Sequence, residues 1–562
     1  MKDFSKEIRA YALKNALEFG KSDSGKVLPK LFQHGLRKEE IGSIMPLVNR
    51  IAEDVNGLSK EEIEEEFVRY KNFIKEKEEK ERSLPELSNV GGKMVFRIAP
   101  FPSGALHLGN AKTYLLNALY AEKYNARLLF FMDDTIGSEE KQIMPDSYDL
   151  IKEAFDWLNV KYDEPIIYKS DRLEIYYKYA EELIKKEKAY VCYCSQNELR
   201  ENRKNGKECE HRIFSLTENL ARWRLMFEAK EGSVVLRLKT DMKNPDPAFR
   251  DRVLFKISDR EHPRIGKKYR VWPTLEMSWA IDDHLLGITH ILRGNDLMIE
   301  TVMEKYIWDV FDWKHPETIH AGLIRIEGIE GAKVSKSKAQ KEVKSGAFIG
   351  WDDPRTWSIQ SLRRRGIKPG AIRDFVFEIG LNKQDITIPI DSLYSINRKM
   401  VDASSLRYSF AADSIELEVS NKPKIKKVSV PIHPDKKEVR TIKIDKLFIS
   451  KKDFEEFKGK EIRLLHLFNI KLADEAKKDM ARAEFTSIEN KEIVKINWVS
   501  DFINAKVLMP DGKWISGLAE RSIEKLKIGA VIQFERFGFC RFDGKIENEK
   551  DKEIYEFWFG HK

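Results

Sequence analysis

The sequence predicts a multidomain protein with an α/β core, an all-helical N-terminal segment and an all-β C-terminal region. Apolar residues recur at helical spacing between residues 5 and 82. Residues 94–132 have the pattern strand, turn, helix, strand, and the two apolar runs begin about 30 residues apart, the spacing of a βαβ unit. From about residue 406 onward the pattern changes to short alternating strands. A chain of 562 residues has room for about three to five domains.

Composition excludes several classes of protein. The 42% of hydrophobic residues is enough for several cores, and the 34% of charged residues excludes a membrane-embedded protein. No apolar stretch approaches the roughly 18 residues of a spanning helix, and Lys6, Glu7 and Arg9 stand where a signal peptide would be apolar. Four cysteines are too few for a disulfide framework. We therefore expect a water-soluble, cytoplasmic protein whose formal charge of +8 permits a nucleic-acid partner without requiring one.

The N-terminal segment is predicted to be helical throughout. Its apolar positions at helical spacing include Ile8, Tyr11, Ala12, Ile63, Phe67 and Tyr70. Residues 60–82 mix both signs of charge, which is typical of a solvated helix face. Residues 84–92, with Pro85, Asn89 and a glycine pair, are predicted to be a linker.

The segment Pro-Phe-Pro-Ser-Gly-Ala-Leu-His-Leu-Gly-Asn at 100–110 joins the first predicted strand of the α/β core to its first helix. This is where open α/β sheets bind ligands. Backbone N–H groups at the helix start, with the His107 imidazole and the Asn110 amide, could donate hydrogen bonds to phosphate oxygens, and Gly109 would let a nucleotide approach. By itself the segment is weak evidence for nucleotide binding, because an ordinary strand-to-helix turn has the same pattern.

A second motif lies more than 200 residues further on. Residues 333–338, Lys-Val-Ser-Lys-Ser-Lys, follow a glycine-flanked stretch at 328–331 and could close over a triphosphate. In isolation, such a basic loop would be only solvated charge.

A metal site is predicted between the two motifs. The four candidate ligands are Cys192, Cys194, Cys209 and His211. Three thiolates and one imidazole form a closed tetrahedral zinc site of the structural type, and buried free cysteines are the alternative. Cys540 stands apart and has the pattern of a strand residue.

The two motifs together resemble the HIGH and KMSKS signatures of class I aminoacyl-tRNA synthetases, at residues 107–110 and 333–337. The sequence around the two motifs is similar to the glutamyl/glutaminyl branch of this class in its archaeal and eukaryotic form. The matching stretches are 170–172, 271–274, 282–287, 351–355 and 362–366, and in the C-terminal region 433–435, 508–512 and 534–538.

The resemblance implies a domain order. It comprises a helical N-terminal domain at 1–88, the first half of a Rossmann-like core at 93–190, a zinc-bearing insertion for the tRNA acceptor stem at 191–280, the second half of the core at 281–338, a helical stem-contact region at 339–405 and two antiparallel β-barrels that bind the anticodon at 406–562.

The resemblance also implies the reaction. ATP, with Mg²⁺, would activate L-glutamate as an adenylate, which then acylates tRNA(Glu); whether tRNA(Gln) is charged as well stays open. The catalytic residues would be His107, Asn110, Lys333 and Lys336, and the other ATP contacts Pro102, Gly104, Gly109 and Ser335. Positioning and electrostatic stabilisation would do most of the catalysis. The resemblance implies a monomer.

For the amino acid, the resemblance assigns Arg97 and Arg293 to the substrate carboxylate and Asp133 to the ammonium group, with Ala99, Leu275 and Trp279 as further contacts. Four residues depart from the family pattern, namely Phe101, Phe131, Leu275 and Trp279. They leave glutamine, or another amino acid, open as an alternative substrate.

For tRNA, the basic run Arg363, Arg364 and Arg365 could neutralise phosphates. Two other classes of protein are alternatives. A tRNA-modifying glutamyl transferase would lack the anticodon barrels, and a non-catalytic tRNA-binding relative would be expected to lose His107 and Lys336, which are both present.

Overall fold

The computed structural model describes residues 3–75, 83–137, 142–328, 336–476, 480–547 and 553–562. The chain divides between Ser83 and Leu84 into two compact units, which are taken separately below. Among the helices of these described stretches, none is long and apolar enough to cross a membrane.

The N-terminal unit is all-helical, as its periodicity predicts. Its helices are α1 (Ser5–Phe19), α2 (Ser24–Leu31), α3 (Ile41–Asn56) and α4 (Lys60–Tyr70). Helix α4 begins with a reciprocal capping box between Ser59 and Glu62. The predicted apolar positions Ile8, Ala12 and Ile63 are buried in its core.

Residues 84–92 are not the linker that the sequence predicts. Leu84 and Leu87 are buried in the hydrophobic core of the second unit, and the backbone N–H of Leu87 donates to the Tyr124 hydroxyl over 2.8 Å. The breaker residues therefore shape an ordered segment, because two leucines among them find an apolar surface.

A parallel sheet forms the centre of the second unit. Its strands and the helices between and after them are β1 (Val95–Ile98), α5 (Leu108–Lys123), β2 (Arg127–Met132), α6 (Ser147–Trp157), β3 (Asp163–Tyr168) and α7 (Leu173–Lys185). The chain returns to the sheet with α10 (Leu275–Leu285), β8 (His290–Gly294), α11 (Met298–Val310), β9 (Glu317–Ala321) and β10 (Ile324–Glu327).

The strand order is that of a Rossmann-like sheet, which confirms the predicted fold class. Strands β1, β2 and β3 pair in parallel, as do β8 and β9. Hydrogen bonds between Val95 and Thr289 set β8 beside β1, which gives the order β3-β2-β1-β8-β9. Alternate strand residues face opposite cores: Phe96 and Ile98 point to one, and Val95 to the other.

An antiparallel four-stranded sheet interrupts the core between α7 and α10. Its elements are β4 (Ala189–Cys192), α8 (Gln196–Asn205), α9 (Leu216–Met226), β5 (Val235–Leu238), β6 (Val253–Ile257) and β7 (Val271–Pro273). After β10 a helical region follows, with α12 (Lys336–Lys344), α13 (Ile359–Arg364), α14 (Pro369–Ile379), β11 (Ile386–Pro389) and α15 (Asp391–Val401).

Two nearly closed β-barrel sheets make up the C-terminal region, as the resemblance implies. The first elements are β12 (Arg407–Tyr408), β13 (Phe410–Ala412), β14 (Ser414–Ser420), β15 (Lys427–Pro431), β16 (Val439–Lys443), β17 (Leu447–Ser450), α16 (Lys451–Phe457), β18 (Glu461–Leu464) and β19 (Asn469–Leu472). The remainder are β20 (Met480–Ser487), β21 (Lys495–Ile496), β22 (Phe502–Leu508), β23 (Trp514–Glu520), β24 (Val531–Phe534), β25 (Gly538–Glu547) and β26 (Glu553–His561).

Both sheets curl back on themselves. The seven-stranded sheet has β12 and β13 as its two edges, although only Ser409 separates them in the chain. The six-stranded sheet runs from β17 to β21, and a bridge between Phe448 and Val499 joins its two edges. Closure of this kind removes exposed strand edges.

Two details of this region differ from the sequence prediction. The strand predicted at 492–497 is only the two residues of β21. The region also holds a helix, α16, although it is predicted to be all-β. Phe454 and Phe457, three residues apart, bury one face of α16, so tertiary packing stabilises a helix too short to persist alone.

Candidate active-site cleft and metal-ligand cluster

The start of α5 is built by the first motif. His107 is the N-cap residue: its Nδ1 accepts from the backbone N–H of Asn110 over 3.3 Å, and the Asn110 side-chain oxygen accepts from the backbone N–H of His107 over 3.0 Å. Asn110 therefore completes a capping box. Because its oxygen serves the cap, its Nδ2 is the end that can donate to a ligand.

Gly104 shapes the loop that leads to this helix. Its φ of +145° lies where L side chains are strained, and a Cβ atom there would come within 2.4 Å of the Trp351 ring. Only glycine fits without displacing the tryptophan. In this structure the role of Gly104 is to let the loop approach Trp351 closely.

A cleft of about 310 Å³ opens where β1 and β8 end. The position is the topological switch point of the sheet, at which helices leave its two halves in opposite directions. Seven of the residues predicted for ATP or the amino acid line it, namely Arg97, Ala99, His107, Gly109, Asn110, Trp279 and Arg293. Pro102, Gly104, Asp133 and Leu275 are not among its lining residues.

The two arginines at the strand ends are already paired with buried carboxylates. Arg97 forms a two-pronged ion pair with Asp283, with 2.9 Å between Nη2 and Oδ2. Arg293 pairs with Glu304, with 2.9 and 2.8 Å from its two terminal nitrogens to the carboxylate oxygens. Burial raises the pKa of Glu304 to about 7, and the guanidinium of Arg293 opposes that rise. The cleft therefore contains cations whose charge is balanced from within.

A third buried pair joins the predicted ammonium ligand to a lysine. Lys169 Nζ lies 3.2 Å from Asp133 Oδ1 and donates to the Ser278 hydroxyl over 2.9 Å. Burial lowers the pKa of Lys169, while Asp133 acts in the opposite direction. Asp133 is thus engaged by a cation of the protein itself.

Sequence reasoning missed three of these charged residues as parts of the site, namely Lys169, Asp283 and Glu304. A signal for Glu304 was present: it shares a helix face with Ile307 and Trp308, three and four residues on, both fully buried. An acid on such a face must meet a cation.

Of the four departures from the family pattern, only Trp279 lines the cleft. Phe131 lies in the core on the other side of its strand from Phe130, buried with Leu129. Most of the added apolar volume is therefore outside the cleft.

Most of the second motif lies outside the part of the chain that the structure describes. Lys333 and Ser335 lie outside the described residues, and Lys336 is described only as the first residue of α12. The convergence of His107 and Lys336 on one triphosphate stays a prediction.

The predicted metal ligands come together at the end of β4. One ligand atom each from Cys192, Cys194, Cys209 and His211 lies within 4.8 Å of the others. These spacings and this donor set fit a tetrahedral zinc ion.

A buried guanidinium lies against this cluster. Arg237 is 1% exposed, and its Nη1 is 3.6 Å from Cys192 Sγ and 3.7 Å from Cys209 Sγ. Its Nε donates to the backbone oxygen of Asp251 over 2.8 Å. A zinc ion held by three thiolates and an imidazole carries one net negative charge, so the cation fits a loaded site.

The arginine run predicted to bind tRNA divides into different environments. Arg365 is 1% exposed and donates to the backbone oxygens of Phe559 and Gly560, so its assignment to tRNA is wrong. Arg365 is the C-cap residue of α13, and its guanidinium bonds to the last strand of the C-terminal barrel. Arg364 pairs with Asp543, and Arg363, half exposed, pairs with Glu153.

Comparison with protein families matches nearly the whole of the second unit. The family described as tRNA synthetases class I (E and Q), catalytic domain, matches residues 93–403. Two families described as the anti-codon binding domain of the same synthetases match residues 405–488 and 484–543.

Full-length relatives agree with these matches. The chain is 43% identical to a protein of Pyrococcus furiosus, over 97% of this chain and 98% of that one, and 42% identical to one of Pyrococcus abyssi over the same shares. It is 39% identical to a protein of Methanocaldococcus jannaschii, over 96% of this chain and 97% of the other. All three are named glutamate–tRNA ligase.

Proposed function

The chain belongs to the class I tRNA synthetases of the E and Q branch, and on that premise we propose that it uses ATP to ligate L-glutamate to tRNA(Glu). One observation supports the proposal most directly. Arg97 and Arg293 lie near the ends of the neighbouring strands β1 and β8, beside the capped start of α5. The same cleft therefore contains cations that can bind a carboxylate and donors that can bind phosphate.

The reaction has two steps. A carboxylate oxygen of glutamate attacks the α-phosphorus of ATP and pyrophosphate leaves; a terminal ribose hydroxyl of tRNA then attacks the adenylate carbonyl and AMP leaves. No protein nucleophile is needed, so the protein contributes by holding reactants in line and by stabilising phosphate charge. ATP enters as its Mg²⁺ complex.

We assign the phosphate end of the cleft to His107 and Asn110. The helix start carries backbone N–H groups and a partial positive charge, and the Asn110 amide adds a donor. Lys333 and Lys336 are proposed, from the sequence alone, to contact pyrophosphate.

We assign the amino-acid end to Arg97 and Arg293, with Ala99 between the strand end and the loop. Asp133 is our candidate for the substrate ammonium, which would share the carboxylate with Lys169, 3.2 Å from its Oδ1.

For tRNA, we assign the two C-terminal barrels to the anticodon arm, and Arg363 to a backbone phosphate. Whether the protein also charges tRNA(Gln) is tested by aminoacylation of purified tRNA(Gln) with glutamate. We also propose a monomer that acts in the cytoplasm.

We propose that Cys192, Cys194, Cys209 and His211 hold a structural zinc ion. All four positions come from protein, so the ion would brace the insertion and would take no part in the chemistry.

The test is amino-acid-dependent exchange of pyrophosphate into ATP, with and without tRNA, for glutamate, glutamine and aspartate. We expect exchange with glutamate, and Lys336→Ala should slow it more than tenfold, about 1.4 kcal/mol. Lys344→Ala, on the last turn of the same helix, is the matched control. Exchange with glutamine alone would overturn the glutamate assignment, and an unchanged Lys336→Ala would overturn the role of the second motif.

A further inference from the structure

Trp279 occupies the centre of the charged network in the cleft, and its role rests on the proposed function. It lies on α10 one helical turn before Asp283, the partner of Arg97, so both residues share a helix face. Its side chain is buried and lines the cleft.

Three cations surround its ring. The guanidinium carbons of Arg97 and Arg293 lie 4.4 and 4.7 Å from the ring centroid, and the ammonium nitrogen of Lys169 lies 4.8 Å from it. Each distance is within the range of a cation–π contact, and such contacts gain strength when the groups are desolvated. Each cation is thus fixed by an acid and by the ring.

The pairing limits what these cations can offer a ligand. Arg97 and Arg293 already direct two nitrogens each at a carboxylate. The carboxylate of a ligand that enters the cleft therefore meets guanidinium groups that already donate hydrogen bonds to Asp283 and Glu304.

Two buried donors at the cleft have no partner among the residues that the structure describes. They are the indole Nε1 of Trp279 and the Nε of Arg293. Both groups can only donate hydrogen bonds, so their complement is an acceptor with two lone-pair-bearing oxygens. A side-chain carboxylate offers an acceptor oxygen to each donor, whereas the –NH₂ group of a carboxamide would oppose one of them.

We infer that Trp279 is a specificity-determining residue: its indole N–H donates to the side-chain carboxylate of bound glutamate, and its ring holds Arg97, Arg293 and Lys169 in position. The indole thereby takes over part of the recognition that the two arginines, occupied by their own acids, do not supply.

Trp279→Phe separates the two roles, because phenylalanine keeps an aromatic face and loses the N–H. We expect its KM for glutamate in pyrophosphate exchange to rise about tenfold, with the KM for ATP unchanged and kcat within about twofold. Trp279→Leu also removes the ring, and its kcat/KM for glutamate should fall about a hundredfold, with a smaller fall for glutamine.

Trp272→Phe is the matched control. Trp272 is fully buried, and its Nε1 has no hydrogen-bond partner within the described stretches of the chain. It is not among the residues that line the cleft. A general cost of losing a buried indole N–H would affect this variant equally. Thermal unfolding of all three variants identifies any that fails to fold.

An unchanged KM for glutamate in Trp279→Phe, or an equal rise in Trp272→Phe, would overturn the donor role. A Trp279→Leu no worse than Trp279→Phe would overturn the role of the ring. Wild-type protein that shows no exchange with glutamate would contradict the proposed function itself, and that result is distinct from either variant outcome.

Discussion

The cleft and the metal-ligand cluster bury polar groups in different ways. The four candidate metal ligands lie within 20 consecutive residues, at the end of one strand, just after it, and at the start of the 3-10 helix Glu210–Ile213. The cleft collects its charges from segments as far apart as β1 and α11. The spacing of residues in the sequence therefore predicts the cluster, whereas the charge pairs of the cleft become visible only in the folded structure.

The two regions also balance charge differently. Each cation of the cleft has an acid of its own, as in the pair of Arg97 with Asp283. In the cluster, Arg237 lies against two thiols. The cleft is therefore complete as a charge network without an added ion, and the cluster becomes charge-balanced when a zinc ion is bound.

The largest effect is expected from breaking a pair in the cleft. Asp283→Asn leaves the Arg97 charge buried and uncompensated, and we expect the free energy of unfolding to fall by about 3–5 kcal/mol in urea titrations. Glu153→Gln is the control, because its pair with Arg363 is half exposed and should contribute less than about 1 kcal/mol. Equal losses in the two variants would mean that burial does not distinguish these pairs.

A smaller effect is expected at the cluster. Arg237→Met keeps an unbranched apolar stem and removes the charge, and zinc affinity measured by chelator competition should fall about 10- to 100-fold, or about 1.4–2.7 kcal/mol. Arg222→Met is the comparison variant, because Arg222 is a cation on α9 that stacks over Phe214. If Arg237→Met retains zinc as well as the wild type, the guanidinium does not compensate the thiolates.

An effect of intermediate size concerns pH and distinguishes the Arg293–Glu304 pair from the Arg97–Asp283 pair. Burial raises the pKa of Glu304 from 4.5 to about 7, so the folded protein binds this proton more tightly than the unfolded chain. The stability linked to that proton is fully present below about pH 4.5 and is lost as pH rises through about 7.

Glu304→Gln removes this titration. Between about pH 4.5 and 7 the wild type should lose on the order of 3 kcal/mol more than the variant, measured by urea unfolding at several pH values. Parallel pH profiles for the two proteins would show that the Glu304 pKa is not raised on folding.

Much of the architecture follows from local pattern. The helical spacing of Ile8 and Ala12 and the alternation of apolar residues in the C-terminal strands depend on neighbours in the chain. Such relations survive in any fold that keeps the element, so the sequence predicts them.

Other features could not be predicted because they depend on contacts between distant segments. Arg365 belongs to a run of three arginines that the sequence presents as equivalent, yet the barrel packed beside it converts one of them into a structural donor. Leu84 and Leu87 stand among breaker residues and still find a core.

By its sequence alone this protein specifies its helical start, its parallel core, its barrels, its four metal-ligand candidates and the motifs that mark its family. Only the tertiary structure decides that Asp283 and Glu304 neutralise the two arginines and that Trp279 lies among three cations. The reason is physical: periodicity and capping act over a few residues, whereas the partner of a buried charge is chosen by whichever distant segment the fold brings within reach.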